Sequence, residues 1–438
     1  MKKSVLLVDK EKNVKKKFVS KHLAWLLFVM TVTQTGPAWA GAGLRIFNSD
    51  DSALLKKLEE KGVLTKDDVK DIEKEEKKSG KNHSLNLSTR LQFLYTFKTY
   101  ENKAGKDDVQ DFNIRRMRFQ ADGNMFKDVD YKFEFNADKM KSLSMKDAWV
   151  GLKHLKYARF RIGQFKSPFS RQRITSSSKL QIIERSPIQI LYPGRDMGIE
   201  MSGKNIGKMF DYAVALLSGV GNKRQFHSTD NEYFLTDGRV AFHPLGEIKH
   251  SEGDTKHTDN FRFELAGNFL FAPHQKAFGE EDTDTMFNNM AVYGVSNLAD
   301  LPEGDTVNVG PEFSVVYKGF SLLSEAYWAQ FMPDWSTYDQ PEHGAPSTKR
   351  DIKTFGAFVQ GGAFIIPKTL ELAGRFDYLD VDTKQFNDGD DLRSYTGGIN
   401  YYIHGHKYKL QANYVKNEYD GKLEKNNSLI RVNLQVKY

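Results

Sequence analysis

The chain has 438 residues, 39% of them hydrophobic and 13% aromatic, with 64 Lys+Arg, 57 Asp+Glu and no cysteine. The missing cysteine excludes disulfides, thiolate metal sites and a cysteine nucleophile. A mature membrane-spanning helix needs an apolar run of about 20 residues, and the sequence has none.

The first forty residues read as an export signal. Eight lysines between Lys2 and Lys21 precede the apolar stretch from Leu23 to Val32, Gly36 and Pro37 break it, and Ala38-Trp39-Ala40 fits a small-residue cleavage site. The apolar stretch is too short to be an anchor. Residues 1–40 hold 8 of the 64 Lys+Arg and 2 of the 57 Asp+Glu, which leaves 56 against 55 in the remainder. The basic balance therefore belongs to the signal and is no nucleic-acid footprint. Residues 41–82 are densely charged, with a thin helical stripe of Leu54, Leu55, Leu58, Val63, Leu64, Val69 and Ile72 interrupted by Gly62. Thr65 to Asp68 resembles a capping box with Asp in the usual Glu/Gln position. The segment reads either as a solvated amphipathic appendage or as a short periplasmic coiled coil that helps the chain oligomerise.

From Ser84 the period changes to two. Leu85, Leu87, Leu91, Phe93, Tyr95 and Phe97 oppose Asn86, Ser88, Arg90 and Gln92, and Tyr131, Phe133 and Phe135 oppose Lys132, Glu134 and Asn136. The same texture recurs to the end, where Ile430, Val432, Leu434, Val436 and Tyr438 oppose Arg431, Asn433, Gln435 and Lys437. Successive strand residues point to opposite sides, so each segment has one greasy and one strongly polar face. A soluble sandwich would have to bury its apolar faces in a core only about 10 Å thick. Faces this rich in Phe and Tyr suit lipid and its interfaces instead. The expected fold is all-β: a transmembrane antiparallel β-barrel of about 16 strands over residues 83–438. The polar stretches 250–260, 273–289 and 333–351 read as external loops. A closed barrel has no free sheet edge, so the last strand must pair with the first. Tyr438 then sits at the membrane interface, where a terminal aromatic resembles the signal read by outer-membrane assembly machinery.

One segment departs from alternation. Between Lys153 and Arg185 there are nine cations, Lys153, Lys156, Arg159, Arg161, Lys166, Arg171, Arg173, Lys179 and Arg185, against the single acid Glu184. Arg159 and Arg161 lie on the inward face of a strand that turns Phe160 and Ile162 outward. A long basic connection, about residues 166–195, follows it. Here GQFKSPFSRQRITSSSKLQIIERSP, then GRDMGIEMSG, resembles the signature of the phosphate-selective porin O and P family, and FNIRRMRFQADGNMFKDVDYKFEFNAD (112–138) is similar to that family's second and third strands. The resemblance spans nearly all of the chain after the signal. It implies an outer-membrane homotrimer of sixteen-stranded barrels, with a third loop folded inward and a lumen lined by arginines, with lysines near the entrances.

The anion-binding, pore-lining candidates are then Arg90, Arg116, Arg118, Arg159, Arg161, Lys166, Arg171, Arg173, Lys179 and Arg185. Of the adjacent Arg115 and Arg116, parity turns only Arg116 inward, with Arg118. Arg matches phosphate with a planar fork of donors, and a series of moderate sites lets an anion hop. The expected function is passive diffusion of anions, inorganic phosphate among them. Inward acids such as Glu134, Asp138, Glu264, Glu325 and Asp377 support a second reading, a general and weakly selective porin for small hydrophilic solutes. G-x-S-x-G and H-E-x-x-H motifs are both missing, so the sequence offers neither enzyme chemistry nor a cofactor site. The acidic stretches 279–285 and 387–391 read as solvated loop charge or as calcium ligands.

Overall fold

The computed structural model describes residue 65 and residues 83–101, 107–138, 143–219, 233–275, 303–336, 351–381, 391–420 and 426–438. The expected signal at 1–40 lies outside the described residues. So do nearly all of the helical segment at 41–82, the acidic stretch 279–285, and most of 273–289, 333–351 and 387–391.

Sixteen strands follow one another: β1 (His83–Tyr100), β2 (Val109–Met125), β3 (Val129–Asn136), β4 (Ser144–Leu155), β5 (Ala158–Lys166), β6 (Arg195–Ile206), β7 (Phe210–Leu217), β8 (Leu235–Phe242), β9 (Arg262–Gln275), β10 (Gly304–Tyr317), β11 (Phe320–Pro333), β12 (Ile352–Ile366), β13 (Leu370–Val381), β14 (Asp391–Tyr402), β15 (Tyr408–Asp420) and β16 (Asn427–Lys437). Each pairs with its neighbours in sequence, and β16 returns to pair with β1, so the sheet is a closed barrel. The seam is antiparallel and in register from Arg90 opposite Lys437 to Tyr100 opposite Asn427.

The period-two pattern decides which side faces what. Ile162, Ile199, Leu265, Phe269 and Ile399 stand exposed on the outside, while Gln92, Glu134, Asn268, Glu312 and Gln435 are buried inside. Toward hydrocarbon the outer face is favourable, and closure satisfies the backbone groups that lipid cannot. Turn chemistry fixes registers. Lys318 and Gly319 have φ of 45° and 85°, the pair of left-handed residues that a two-residue hairpin of matching twist requires, and they set Tyr317 opposite Phe320.

Strand direction sorts the connections by end. The short turns after β2, β4, β6, β10, β12 and β14 share one end with His83 and the finish of β16. The connection after β8, residues 243–261, leaves at that same end. This corrects the expectation that 250–260 is an external loop: its length and polarity suggested the outside, but β8 delivers it to the turn side.

Removing residues 428–438 would leave the facing edges of β1 and β15 unpaired in lipid, at several kcal/mol for each unsatisfied backbone group. We expect the truncated chain to fail to give a heat-modifiable barrel in detergent. Normal heat modifiability of the truncated chain would contradict the closing role of β16.

Candidate functional site

Residues 167–194, which join β5 to β6, run into the lumen and lie against the far wall. A buried connection must find partners for its backbone polar groups, and the inward side chains of β9 to β16 supply them. Glu312 accepts from the Arg171 amide at 2.8 Å, Glu325 from the Gln172 amide at 2.6 Å, and Asn413 from the Ile183 amide at 2.8 Å. Lys409 donates to the Leu180 carbonyl at 2.7 Å, Asn400 to the Gln181 carbonyl at 2.9 Å and Gln435 to the Ser178 carbonyl at 3.0 Å. Ser170 starts the single helical turn α1 (Arg171–Ile174) at a φ of 64°, a conformation that costs a residue with a side chain about 1–3 kcal/mol. Its hydroxyl offsets this by accepting from the Arg173 amide at 3.0 Å and donating to Glu325 at 2.7 Å.

Toward the outer mouth the loop is held by apolar contact. Phe169, Ile188, Leu191 and Tyr192 join Tyr327, Phe331, Ile352 and Phe358 in one buried cluster, with Phe169 and Tyr327 ring centroids 5.1 Å apart. Glycine at 356 is required for this approach, since a Cβ there would stand 2.7 Å from the Leu191 side chain and 2.9 Å from that of Ile188.

The turn-side connection 243–261 also reaches inward and grips the loop from the other end. Glu252 accepts from the Gln181 amide at 2.7 Å, the Gln172 side chain at 3.1 Å and Gln360 at 2.9 Å. Carbonyls of Ile248 and Lys249 take the Arg171 guanidinium at 3.1 and 3.0 Å. Burial, and then Arg171 and Arg239, keep the His250 imidazole well below its ordinary pKa.

What stays open is a cavity of about 430 Å³ along the β1 to β8 side. Eleven Lys and Arg and four Asp and Glu line it. Of the residues expected from sequence, Arg90, Arg118, Arg159, Arg161, Lys166 and Lys179 line this cavity. Arg118 pairs with Glu134 at 2.8 Å, Arg159 with Asp130 at 2.9 Å and Arg161 with Glu200. Lys166 donates to the Arg173, Ile174 and Thr175 carbonyls at 2.8, 3.3 and 3.0 Å, closing the C-terminal end of α1.

Four expected residues are spent elsewhere. Arg171 turns into the wall, onto Glu264 at 2.8 Å. Arg185 ties the loop to itself through the Gln172 and Thr175 carbonyls at 3.1 and 2.7 Å. Arg173 lies in α1, outside the cavity lining. Arg116 faces inward but is covered, reaching Gln92 at 2.9 Å and Glu184 at 3.1 Å.

The Arg115 expectation is also corrected. β1 and β2 slip register between Gln92 and Phe93, which oppose Arg116 and Ile114, so Arg115 is the extra residue of a bulge. A bulge re-aims its side chain, and both arginines clasp Glu184, Arg115 at 2.5 Å. Burial would raise the Glu184 carboxyl, but Arg116 and Arg115 outweigh it and hold it down at about 2. Its contribution to anchoring the loop is thus complete above the ordinary carboxylate pKa of about 4.3 and is lost only as pH falls through about 2. Lys132, Arg195, Arg239, Lys204 and Lys437 line the cavity too, though none was singled out from sequence. Strand parity was the available signal for Lys132 and Lys437.

Arg171→Ala removes a buried ion pair and two carbonyl contacts, an anchoring loss of about 3–5 kcal/mol. We expect larger and noisier single-channel currents. Gly356→Val should loosen the same loop from its apolar side, with the same signature. Wild-type conductance in both variants would show that these contacts do not hold the loop.

The sequence profile of the phosphate-selective porin O and P family matches residues 87–438. An uncharacterized protein of Aquifex aeolicus (strain VF5) is 25% identical over 422 residues, covering 87% of this chain and 93% of its own. Among solved structures, an anion-selective porin from Comamonas acidovorans superposes with a TM-score of 0.54 at 13% identity, over 81% of this chain and 100% of its own. The outer-membrane channel DcaP of Acinetobacter baumannii gives 0.54 at 13%, over 82% and 98%. The trimer form of OmpT from Vibrio cholerae gives 0.52 at 11%, over 82% and 100%. These likenesses speak for the fold, and the profile match for the family. With its closed sixteen-stranded barrel and a match that runs from β1 to the last residue, the chain belongs to the phosphate-selective porin O and P family of outer-membrane porins.

Proposed function

We propose that the protein is a passive outer-membrane porin that prefers small anions, inorganic phosphate among them. The observation that carries this reading is the cavity lining of eleven cations against four acids. Low-dielectric walls focus the field of such fixed charges. Ion pairs hold Arg118, Arg159 and Arg161 in place, which gives an anion a row of moderate sites rather than one deep trap. The general-porin alternative rests on inward acids, and their disposition weighs against it. Glu264 and Glu325 are consumed in anchoring the loop, and Asp377 is buried against Arg375 at 2.9 Å. Of the acids named for that alternative, only Glu134 borders the cavity.

The reading includes export through a cleaved signal and assembly as a homotrimer. The porin family supports the trimer, as does the likeness to the V. cholerae outer-membrane protein OmpT solved in trimer form.

A planar-bilayer recording across a KCl gradient tests the selectivity. We expect a reversal potential of anion-preferring sign, and a shift toward zero in Arg118→Glu with Arg159→Glu. Phosphate added to the chloride bath should reduce the current. A wild-type reversal potential at zero, or of cation-preferring sign, would overturn the proposal.

A further inference from the structure

The turn-side connection between β8 and β9 carries an arm, residues 246–253, that enters the lumen between two fixed points. Before it, the His243 amide donates to the Met209 carbonyl at 2.7 Å. After it, Asp254 accepts from the Thr258 amide and hydroxyl, both at 2.8 Å, and from the Gly319 amide at 2.9 Å. Gly246, at a φ of 105°, and Gly253 bracket the arm, and glycine most readily takes up a change of backbone direction. Ile248 is the arm's single apolar side chain. Polar contacts do most of the holding. The Ile248 and Lys249 carbonyls meet Arg171, Glu252 meets Gln172, Gln181 and Gln360, and the Ser251 hydroxyl lies 2.9 Å from the His406 Nε2.

Two histidines sit in this contact, and neither has a carboxylate partner among the described residues. His250 lines the open cavity and is faced by Arg171 and Lys179 from the loop, Arg239 from β8 and Lys204 from β6. His406, in the turn before β15, is faced by Lys179, by Lys409 from β15 and by Lys437 from β16, with the Tyr402 ring edge-on at 5.5 Å. The acids on the elements around them are committed. Glu264 and Glu312 take Arg171 and Arg239, and Glu200 takes Arg161. Glu371 accepts from Gln181, Asn400 and Tyr402, and Asp211 from the Asn205 amide, with His243 at 3.2 Å. Ser251 has one hydroxyl proton, which it donates to the Gly253 carbonyl at 3.1 Å. The His406 Nε2 then donates to Ser251. The Nδ1 atoms of His406 and His250 are both buried with no hydrogen-bond partner among the described residues. In either charged ring the Nδ1 proton would have no acceptor, and the new charge would stand among cations. Burial first, and then these cations, hold both imidazoles well below their ordinary pKa.

We propose that residues 246–253 are an acid-released arm: protonation of His250 and His406 drives it out of the lumen toward the turn side, frees the loop it grips and enlarges the pore. The arm's role rests on the porin reading, whichever ion the pore prefers. Release returns both rings to water and to an ordinary pKa of about 6.5. Docking is therefore strongest above pH ~6.5. It weakens below that by up to about tenfold per pH unit for each histidine, until the docked pKa is reached. Once the arm has left, Glu252 no longer holds Gln172, Gln181 and Gln360, so the loop loosens from its turn-side end.

The test is single-channel conductance of the full-length assembled protein in constant KCl, as the turn-side bath is taken from about pH 7.5 to about pH 5. Openings to a larger level should become frequent below pH ~6.5, with a steepness of about two protons per opening. His250→Gln and His406→Gln should each reduce the steepness to about one proton, and the double variant should stay at its neutral-pH level. If the variants do not assemble, hydrogen exchange on the wild-type protein carries the test. After correction for intrinsic rates, amides of residues 246–253 should lose protection at about pH 5 while those of β1 and β16 keep it. A wild-type conductance that stays flat or falls on acidification, an equal rise in the double variant, or undiminished protection of the arm overturns the proposal. A protein that forms no channel at neutral pH overturns the porin reading instead.

Discussion

The fold's functional consequences depend on one interaction: carboxylates on the far barrel wall accept the backbone amides of a loop lying inside the lumen. A connection cannot sit in such a place with its N–H groups unmet, and Glu312 and Glu325 meet those of Arg171 and Gln172. Glu252 does the same for Gln181 from the opposite end. The acids are thereby taken out of the pathway and covered. Beyond residue 40 the chain has almost equal numbers of cations and anions, yet the open cavity is strongly basic. The basic character comes from sorting, with the loop as the partition.

Within the cavity wall, ion pairing has a second use. Arg195 and Lys132 share Asp147, and Arg195, Lys132 and Arg118 share Glu134. Partly buried pairs of this kind add little net stability, because desolvation offsets attraction. They do fix long side chains in one rotamer. Three cations share two carboxylates here, so the pairing supplies geometry and still leaves positive charge facing the cavity.

The barrel was legible in the sequence because its physics is local. Period-two alternation, as in Ile430 to Tyr438, records which side meets lipid, and the closing strand follows from the rule that no edge remains in hydrocarbon. The inward face of Arg90, Arg118, Arg159 and Arg161 was legible by the same parity. Arg115 was not, because a single inserted residue inverts parity and leaves no compositional trace. The loop cations were not either: Arg171 and Lys179 look alike in a basic stretch, and only the position of Glu264 on β9 decides that Arg171 turns to the wall. Residues 250–260 were misassigned because length and polarity were weighed above strand direction, which an exact strand count would have supplied.

The loop's partners have a consequence for the order of events during folding. Most of them lie later in the chain than the loop itself, with separations of 141 residues for Arg171 to Glu312, 230 for Ile183 to Asn413 and 257 for Ser178 to Gln435. Contacts so distant in sequence form only after the entropy of closing the intervening chain has been overcome. The strands bordering the open cavity are mostly the early ones, β1 to β8, and they can hairpin locally. The loop therefore lies down only once the later strands that carry most of its partners have arrived, and the lumen acquires its charge asymmetry last.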